Sequence, residues 1–323
     1  MPATESGPIA TVIIPTFNDV DHLVDAIEFA RRQTLREIEI IVVEDNSAEP
    51  VDAAVRAVAG SDDRVSVIRR QTTGGVFAAQ NTGIESARGK YIYLGSTNDP
   101  IEPDFIETAV GALERWLVAG MFFSDPGIIP VNSEQRESQP LYLAKQEIFF
   151  GPDQFADMIR HRPFHISSNT VVFRADSLRA IGGCRTEFGL YADWFSCNVT
   201  ALRSGAVYVP RVLAYSRVHE EAFSDPSRWN TSIRVRYAGT VLRAIATELP
   251  EICSRLRRSR AVSEFGVGVM LALCKEPVFR PLIGLGGLAM ALLRGAWGLV
   301  RRFMSDNGRR LVRRIAMTSR VVA

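Results

Sequence analysis

The chain has 323 residues, 46% apolar and 23% charged, a balance that lets an ordinary globular protein bury a core as one large domain or a domain with appendages. A net charge of +2 excludes a global basic field of the kind that binds nucleic acid. Four dispersed cysteines without a C-x-x-C pair exclude a disulfide scaffold and a zinc ribbon, and the first residues lack the basic and apolar regions of a signal peptide, so cytoplasmic residence is expected.

Residues 9–16 form a short β-branched run closed by a proline and a threonine, which predicts a buried strand. Leu23, Ile27 and Ala30 recur at helical spacing within 20–33, and 38–43 is a second strand. A helix near 50–59, a strand at 64–69, a helix at 75–88, a strand at 90–95, a helix at 103–118 and a strand-like stretch at 120–124 follow. This alternation predicts a mostly parallel sheet covered on both faces. The pattern weakens from 125 to 163. A strand at 166–173, a helix at 175–181, the Gly182-Gly183 break, a helix at 191–204 and strands at 206–209 and 212–218 come next. Beyond about 228 the chain reads as helical.

In a sheet of this kind ligands sit beyond the carboxyl ends of the strands. There the sequence places Pro15-Thr16-Phe17-Asn18, Glu44-Asp45-Asn46-Ser47, Arg69-Arg70 and Gly95-Ser96-Thr97-Asn98-Asp99. Each group alone also fits a turn or a helix cap. Four in succession at one edge make a site.

The ordered set P-T-F-N, V-E-D-N-S, G-x-x-x-A-x-N-x-G over 75–83, A-R-G-K-Y-I over 87–92 and N-D-P-I-E-P-D over 98–104 resembles glycosyltransferase family 2, across roughly residues 9–224. The resemblance implies a GT-A fold, with a nucleotide-binding half over about 9–124 and an acceptor-binding half over about 125–228. It also implies a nucleoside-diphosphate sugar donor, usually of uridine, and a divalent Mn²⁺ or Mg²⁺ ion. Asp45 would accept from the imide N–H of the base, in a pocket lined by Pro15, Thr16, Phe17 and Asn18, with Glu44 secondary. Arg70, Gly75, Asn81 and Asn98 fall on the nucleotide side.

Asp99 matches the acid that touches the metal, and His219 in Tyr215-Ser-Arg-Val-His219 matches a histidine that approaches the metal or diphosphate. The run Ser96-Thr97-Asn98-Asp99 departs from the family's more acidic pattern, which weakens the expected metal site. Gly182-Gly183 followed by Tyr191-Ala192-Asp193-Trp194-Phe195 resembles the acceptor-side block, where Asp193 would be the catalytic base and Trp194 either core or an acceptor platform. No nucleophile-plus-base arrangement stands out, which favours single displacement with inversion.

The stretch 281–293 carries no charge, and from Arg294 onward there are eight arginines against Asp306, a local charge of +7. With Trp297 and the arginines beside apolar residues, this suits an interfacial helix on an anionic cytoplasmic membrane face. The same residues could instead pack on the catalytic body. The division expected is 1–228 for the transferase domain and 229–323 for a helical, basic extension, with a glycan or lipid-linked acceptor and no nucleic acid. Neutral residues at Ser96, Asn98 and Ala192 also fit a catalytically silent relative that binds nucleotide sugar or glycan as a scaffold.

Overall fold

The computed structural model describes residues 7–130, 133–217 and 229–303. Its centre is one sheet. The strands β1 (Ala10–Thr16), β2 (Ile38–Glu44), β3 (Val65–Arg69), β4 (Tyr91–Leu94), β5 (Met121–Ile129), β7 (Ile148–Phe150), β8 (Val171–Arg174) and β9 (Ala206–Arg217) lie in the order β3-β2-β1-β4-β8-β5-β9-β7, and β6 (Glu137–Ser138) pairs with β5. Every residue of β1 and β2 is buried, as expected of strands covered on both faces, whereas the edge strand β3 is half-exposed.

β1 to β4 are mutually parallel, but β8 enters antiparallel between β4 and β5, and β6 and β7 are antiparallel as well. The sheet is therefore mixed rather than mostly parallel along its second half. The two short strands expected at 206–209 and 212–218 are a single strand, β9. Its register against β5 slips next to Pro210, a residue with no N–H to give the ladder.

Successive strand residues face opposite sides, and two cores follow. On one side Val12, Ile14, Ile40 and Val42 meet α1 (Val20–Arg31), α2 (Asp52–Ala59) and α4 (Phe105–Arg115). On the other, Ile13, Ile41, Val43 and Ile92 meet α3 (Val76–Ser86), α5 (Pro152–His161), α6 (Ala175–Arg179) and α7 (Ala192–Ser204). The second core continues without a break into α8 (Thr231–Glu248), α9 (Cys253–Ser259), α10 (Val267–Leu273) and α11 (Arg280–Phe303). The C-terminal helices are thus packed on the sheet's body, through residues such as Phe265, Phe279, Ile283 and Ala291.

The weakly patterned 125–163 stretch contains α5. Its start is marked by Pro152 in the first turn, while the Gln154 side chain accepts from Gly151 N–H at 3.0 Å.

Candidate active site

The antiparallel register of β4 and β8 puts the beginning of β8 beside the carboxyl end of β4. The turns after β1, β2 and β4, the turn Ser168–Thr170 before β8, and the end of β9 therefore share one sheet edge. Polar groups from distant parts of the sequence meet there.

Asp45 is 2% exposed. Gly74 N–H donates to both of its carboxylate oxygens at 3.0 and 3.1 Å, Gly75 N–H donates to Oδ2 at 2.6 Å, and Arg70 Nε lies 2.8 Å from Oδ1. Asp45 thus sits at the positive end of α3 and fixes the loop that leads into it. Gly75 has φ 82 and ψ 173, a conformation essentially reserved for glycine, which explains the residue type at that bend. Arg70 is held in turn by the carbonyl of Ala78 and the hydroxyl of Thr82, at 2.8 and 2.7 Å.

Glu44 takes the opposite face of the sheet, as the residue before Asp45 must. It is fully buried, 3.5 Å from Arg69, and neither of its oxygens has a hydrogen-bond partner among the described residues. Thr16 and Pro15 are buried at the end of β1, while Phe17 is 49% exposed at the rim. Asn18 has a left-handed backbone, φ 51, and braces two turns: its N–H donates to Ser47 Oγ at 3.0 Å and its Oδ1 accepts from Ala48 N–H at 2.9 Å.

Asn98 Oδ1 accepts from Ser96 Oγ at 2.5 Å. Asp99 Oδ1 accepts from the backbone N–H of Arg217 at 3.0 Å, which ties the loop after β4 to the end of β9. Burial pushes the Asp99 carboxyl up to about 6, against the pull of Arg217. Tyr93, buried nearby with a hydroxyl that lacks a partner among the described residues, is pushed up first by burial and then by the charge of Asp99. A carboxylate desolvated in this way, with one oxygen engaged, is suited to a cation. Among the described residues no group of three His, Cys, Asp or Glu side chains could hold a metal, so an ion here would complete its shell from a ligand's phosphates and water. His219, the second expected metal contact, lies outside the described residues.

Asp193 opens α7, and Ser168 Oγ donates to its Oδ2 at 3.2 Å. Burial raises its proton affinity, opposed by Ser168 and by His165. His165 is exposed and pairs with Glu264 at 2.9 Å; Glu264 in turn lies 4.0 Å from Arg294 of α11. The C-terminal helices therefore reach the surroundings of Asp193. The neighbouring thiols of Cys184 and Cys197 are both driven up, by burial first and then by the charge of Asp193.

Two expected contacts take other positions. Trp194 is 6% exposed, its ring 4.7 Å from that of Phe265, so its faces are covered by the protein itself and it is core rather than an acceptor platform. Asn81 donates to the carbonyl of Cys184 at 2.7 Å and accepts from its N–H at 2.8 Å, pinning the Gly182-Gly183 turn to α3. No motif in the sequence marks Ser168, His165 or Glu264. Only their contacts with Asp193, or with each other, mark them.

The segment Arg88-Gly89 lies at the other end of the sheet. Glu39 there accepts from Thr11 Oγ1 at 2.7 Å, Arg88 N–H at 2.7 Å and Arg88 Nε at 2.9 Å, so the motif is structural.

Comparison with known proteins agrees with this architecture. A protein of Streptococcus pneumoniae described as glycosyltransferase GlyG is 34% identical over 100 residues, covering 31% of this chain and 33% of the relative. An uncharacterised glycosyltransferase of Bacillus subtilis, EpsJ, is 39% identical over 154 residues, covering 48% of this chain and 43% of the relative. The chain thus spans less than half the length of either relative. The structure of S. aureus TarS 1–349 in complex with UDP-GlcNAc superposes with a TM-score of 0.63 at 14% identity, covering 87% of this chain and 78% of that one. The mannosyltransferase PcManGT from Pyrobaculum calidifontis, in complex with GDP-Man and Mn²⁺, gives 0.50 at 16% identity, covering 98% and 81%. At these identities the likeness is one of fold, and the fold is GT-A. The profile for "Glycosyl transferase family 2" matches residues 11–178, more than half of the chain, and the chain belongs to that family.

Proposed function

We propose that the protein transfers a sugar from a nucleoside-diphosphate sugar, of the uridine class, to a hydroxyl of a glycan or lipid-linked acceptor, with inversion at the anomeric carbon. The observation that carries the reading is Asp193, a carboxylate buried into high proton affinity at the same sheet edge as Asp45 and Asp99. In the reaction the acceptor oxygen attacks the anomeric carbon, its proton passes to an oxygen of Asp193, and the bond to the diphosphate breaks, its electron pair leaving with the diphosphate. Asp45 and the Gly74–Gly75 loop bind and orient the nucleotide. Asp99 would hold a divalent cation, which would supply charge neutralisation for the departing diphosphate.

The exposed leucines of α11 support a peripheral position on an anionic cytoplasmic membrane face. Leu285 is 88%, Leu292 55% and Leu293 64% exposed. The stretch Pro277–Ala296 is long and apolar enough to cross a membrane by length and composition, but Ile283 and Ala291 within it are buried against the body, which favours lying on the surface over spanning.

The test is thermal unfolding with a panel of nucleotide sugars, with and without Mn²⁺, followed by product analysis. A bound donor raises the unfolding temperature. Stabilisation by one uridine sugar, enhanced by Mn²⁺ and followed by transfer, is the expected result. Stabilisation without turnover on any acceptor would instead leave the silent reading, which the neutral Ser96–Asn98 pair favours.

A further inference from the structure

The α11 helix begins with an interruption. Gly284 has φ 60 and ψ 162, and Gly284, Leu285 and Gly286 reach the surface of the C-terminal helices while Gly287 is buried. Arginines from two other places crowd this turn. A Cβ added at Gly284 would stand 3.3 Å from Arg257 Nε, and one at Gly286 would stand 2.8 Å from Arg260 Nε. The missing side chains are what lets the two guanidiniums lie against the chain. Arg260 itself adopts a left-handed backbone, φ 58, where residues other than glycine are uncommon. Arg160, at the end of α5, lines the same cleft.

Charge sorts these arginines. Arg258, also in the cleft, is paired with Asp153 and Asp157. Among the described residues Arg160, Arg257 and Arg260 have no carboxylate within ion-pair distance. Three uncompensated guanidiniums around a glycine turn form a site for a phosphate, because Arg presents a fork of donors that matches phosphate oxygens.

The neighbouring surface says where such a phosphate comes from. Leu285 projects at the cleft with 88% exposure, and Leu292 and Leu293, seven and eight residues on, share its face of the helix. Ile283, Gly287 and Ala291 occupy the opposite, buried face. A basic cleft continuous with an exposed apolar stripe complements a bilayer surface, headgroup beside acyl chain. From Leu285 to Arg294 the helix rises by roughly 14 Å, at about 1.5 Å per residue, and Arg294 lies near Glu264 in the cluster around Asp193.

We propose that Arg160, Arg257 and Arg260, seated around the Gly284–Gly287 turn, bind the phosphate headgroup of an anionic membrane lipid and so dock the active-site side of the protein at the bilayer. The proposal rests on the peripheral reading of α11 given above and assigns it a headgroup site.

The test is flotation of the full-length protein with phosphatidylglycerol-containing and pure phosphatidylcholine vesicles. Wild type is expected to bind only the anionic vesicles. Arg257→Gln/Arg260→Gln should weaken that binding roughly thirty-fold, at about one headgroup contact per arginine. Arg257→Lys/Arg260→Lys, which keeps the charge but not the fork, should weaken it as well. Arg36→Gln/Arg56→Gln, the same change in net charge on the other side of the sheet, should leave it intact. Circular dichroism and unfolding temperature confirm that each variant is folded. If both arginine pairs weaken binding equally, or if the lysine pair binds as wild type, the headgroup site is overturned while the peripheral reading stands. If wild type binds neither vesicle, both fall. Saturable binding of glycerol phosphate by calorimetry, lost in Arg257→Gln/Arg260→Gln and without vesicle binding, would mark a soluble anion site and overturn the lipid assignment.

Discussion

Ser168 and Asp193, 25 residues apart, meet at 3.2 Å, hydroxyl to carboxylate oxygen, where the head of α7 faces the start of β8. The bond stabilises the charged form of a carboxylate that burial otherwise drives toward its protonated form. Removing the hydroxyl in Ser168→Ala therefore raises the proton affinity of Asp193. The acid limb of the kcat/KM profile should move to higher pH by roughly one unit, with little change on the alkaline side. An unmoved acid limb would detach Ser168 from the catalytic group.

Asp45 predicts a coupled loss. Its carboxylate holds Gly74, Gly75 and Arg70 together, so Asp45→Ala leaves a guanidinium with 21% side-chain exposure and two loop N–H groups without their acceptor. Urea unfolding should show a loss of about 3 kcal/mol, and calorimetry should show UDP binding weakened by at least tenfold. Retained UDP affinity in the folded variant would remove Asp45 from the nucleotide site.

Asp99 gives a pH-dependent stability of determinate sign. Its folded pKa of about 6 lies above the ordinary carboxylate value, so the folded state holds the proton more tightly than the unfolded chain. Its favourable contribution is complete below about pH 4 and is lost as pH rises through 6. In metal-free buffer Asp99→Asn should therefore be more stable than wild type at pH 7.5, by up to about 3 kcal/mol, and the gain should shrink toward pH 4. A gain independent of pH would contradict the assignment. The same variant should lose any stabilisation by Mn²⁺ with UDP.

Glu39 predicts the opposite separation. Glu39→Ala strands the Thr11 hydroxyl and the Arg88 N–H at the far end of the sheet. The unfolding temperature should fall, by an amount corresponding to about 2–3 kcal/mol, while kcat per folded molecule stays unchanged. A changed kcat would bring the motif into the active site.

The parallel half of the sheet was legible because burial on both faces writes itself as unbroken β-branched runs, and residues such as Asp45 and Asp99 stand directly after those runs. The antiparallel insertion of β8 was not, because strand direction is set by distant pairing and leaves no local mark. Trp194 shows the same limit from the other side. Its place beside Asp193 in the chain suits an acceptor platform, but Phe265, 71 residues later, covers it. The family resemblance located Asp193, whereas Ser168 and His165 on one segment and Glu264 on another are brought to it only by folding. The helical character beyond 228 was readable from pattern alone. That these helices complete the second core, while one of them keeps Leu285 and Leu293 outside, depends on packing.

The most direct test of the central claim is Asp193→Asn, assayed for sugar transfer and for UDP binding in the same preparation. Transfer is expected to fall by at least about a hundredfold, the usual share of a general base, with UDP affinity preserved and an unfolding temperature no lower than that of wild type, since burial already disfavours the charge on Asp193. Transfer at the wild-type rate by the folded variant would contradict it.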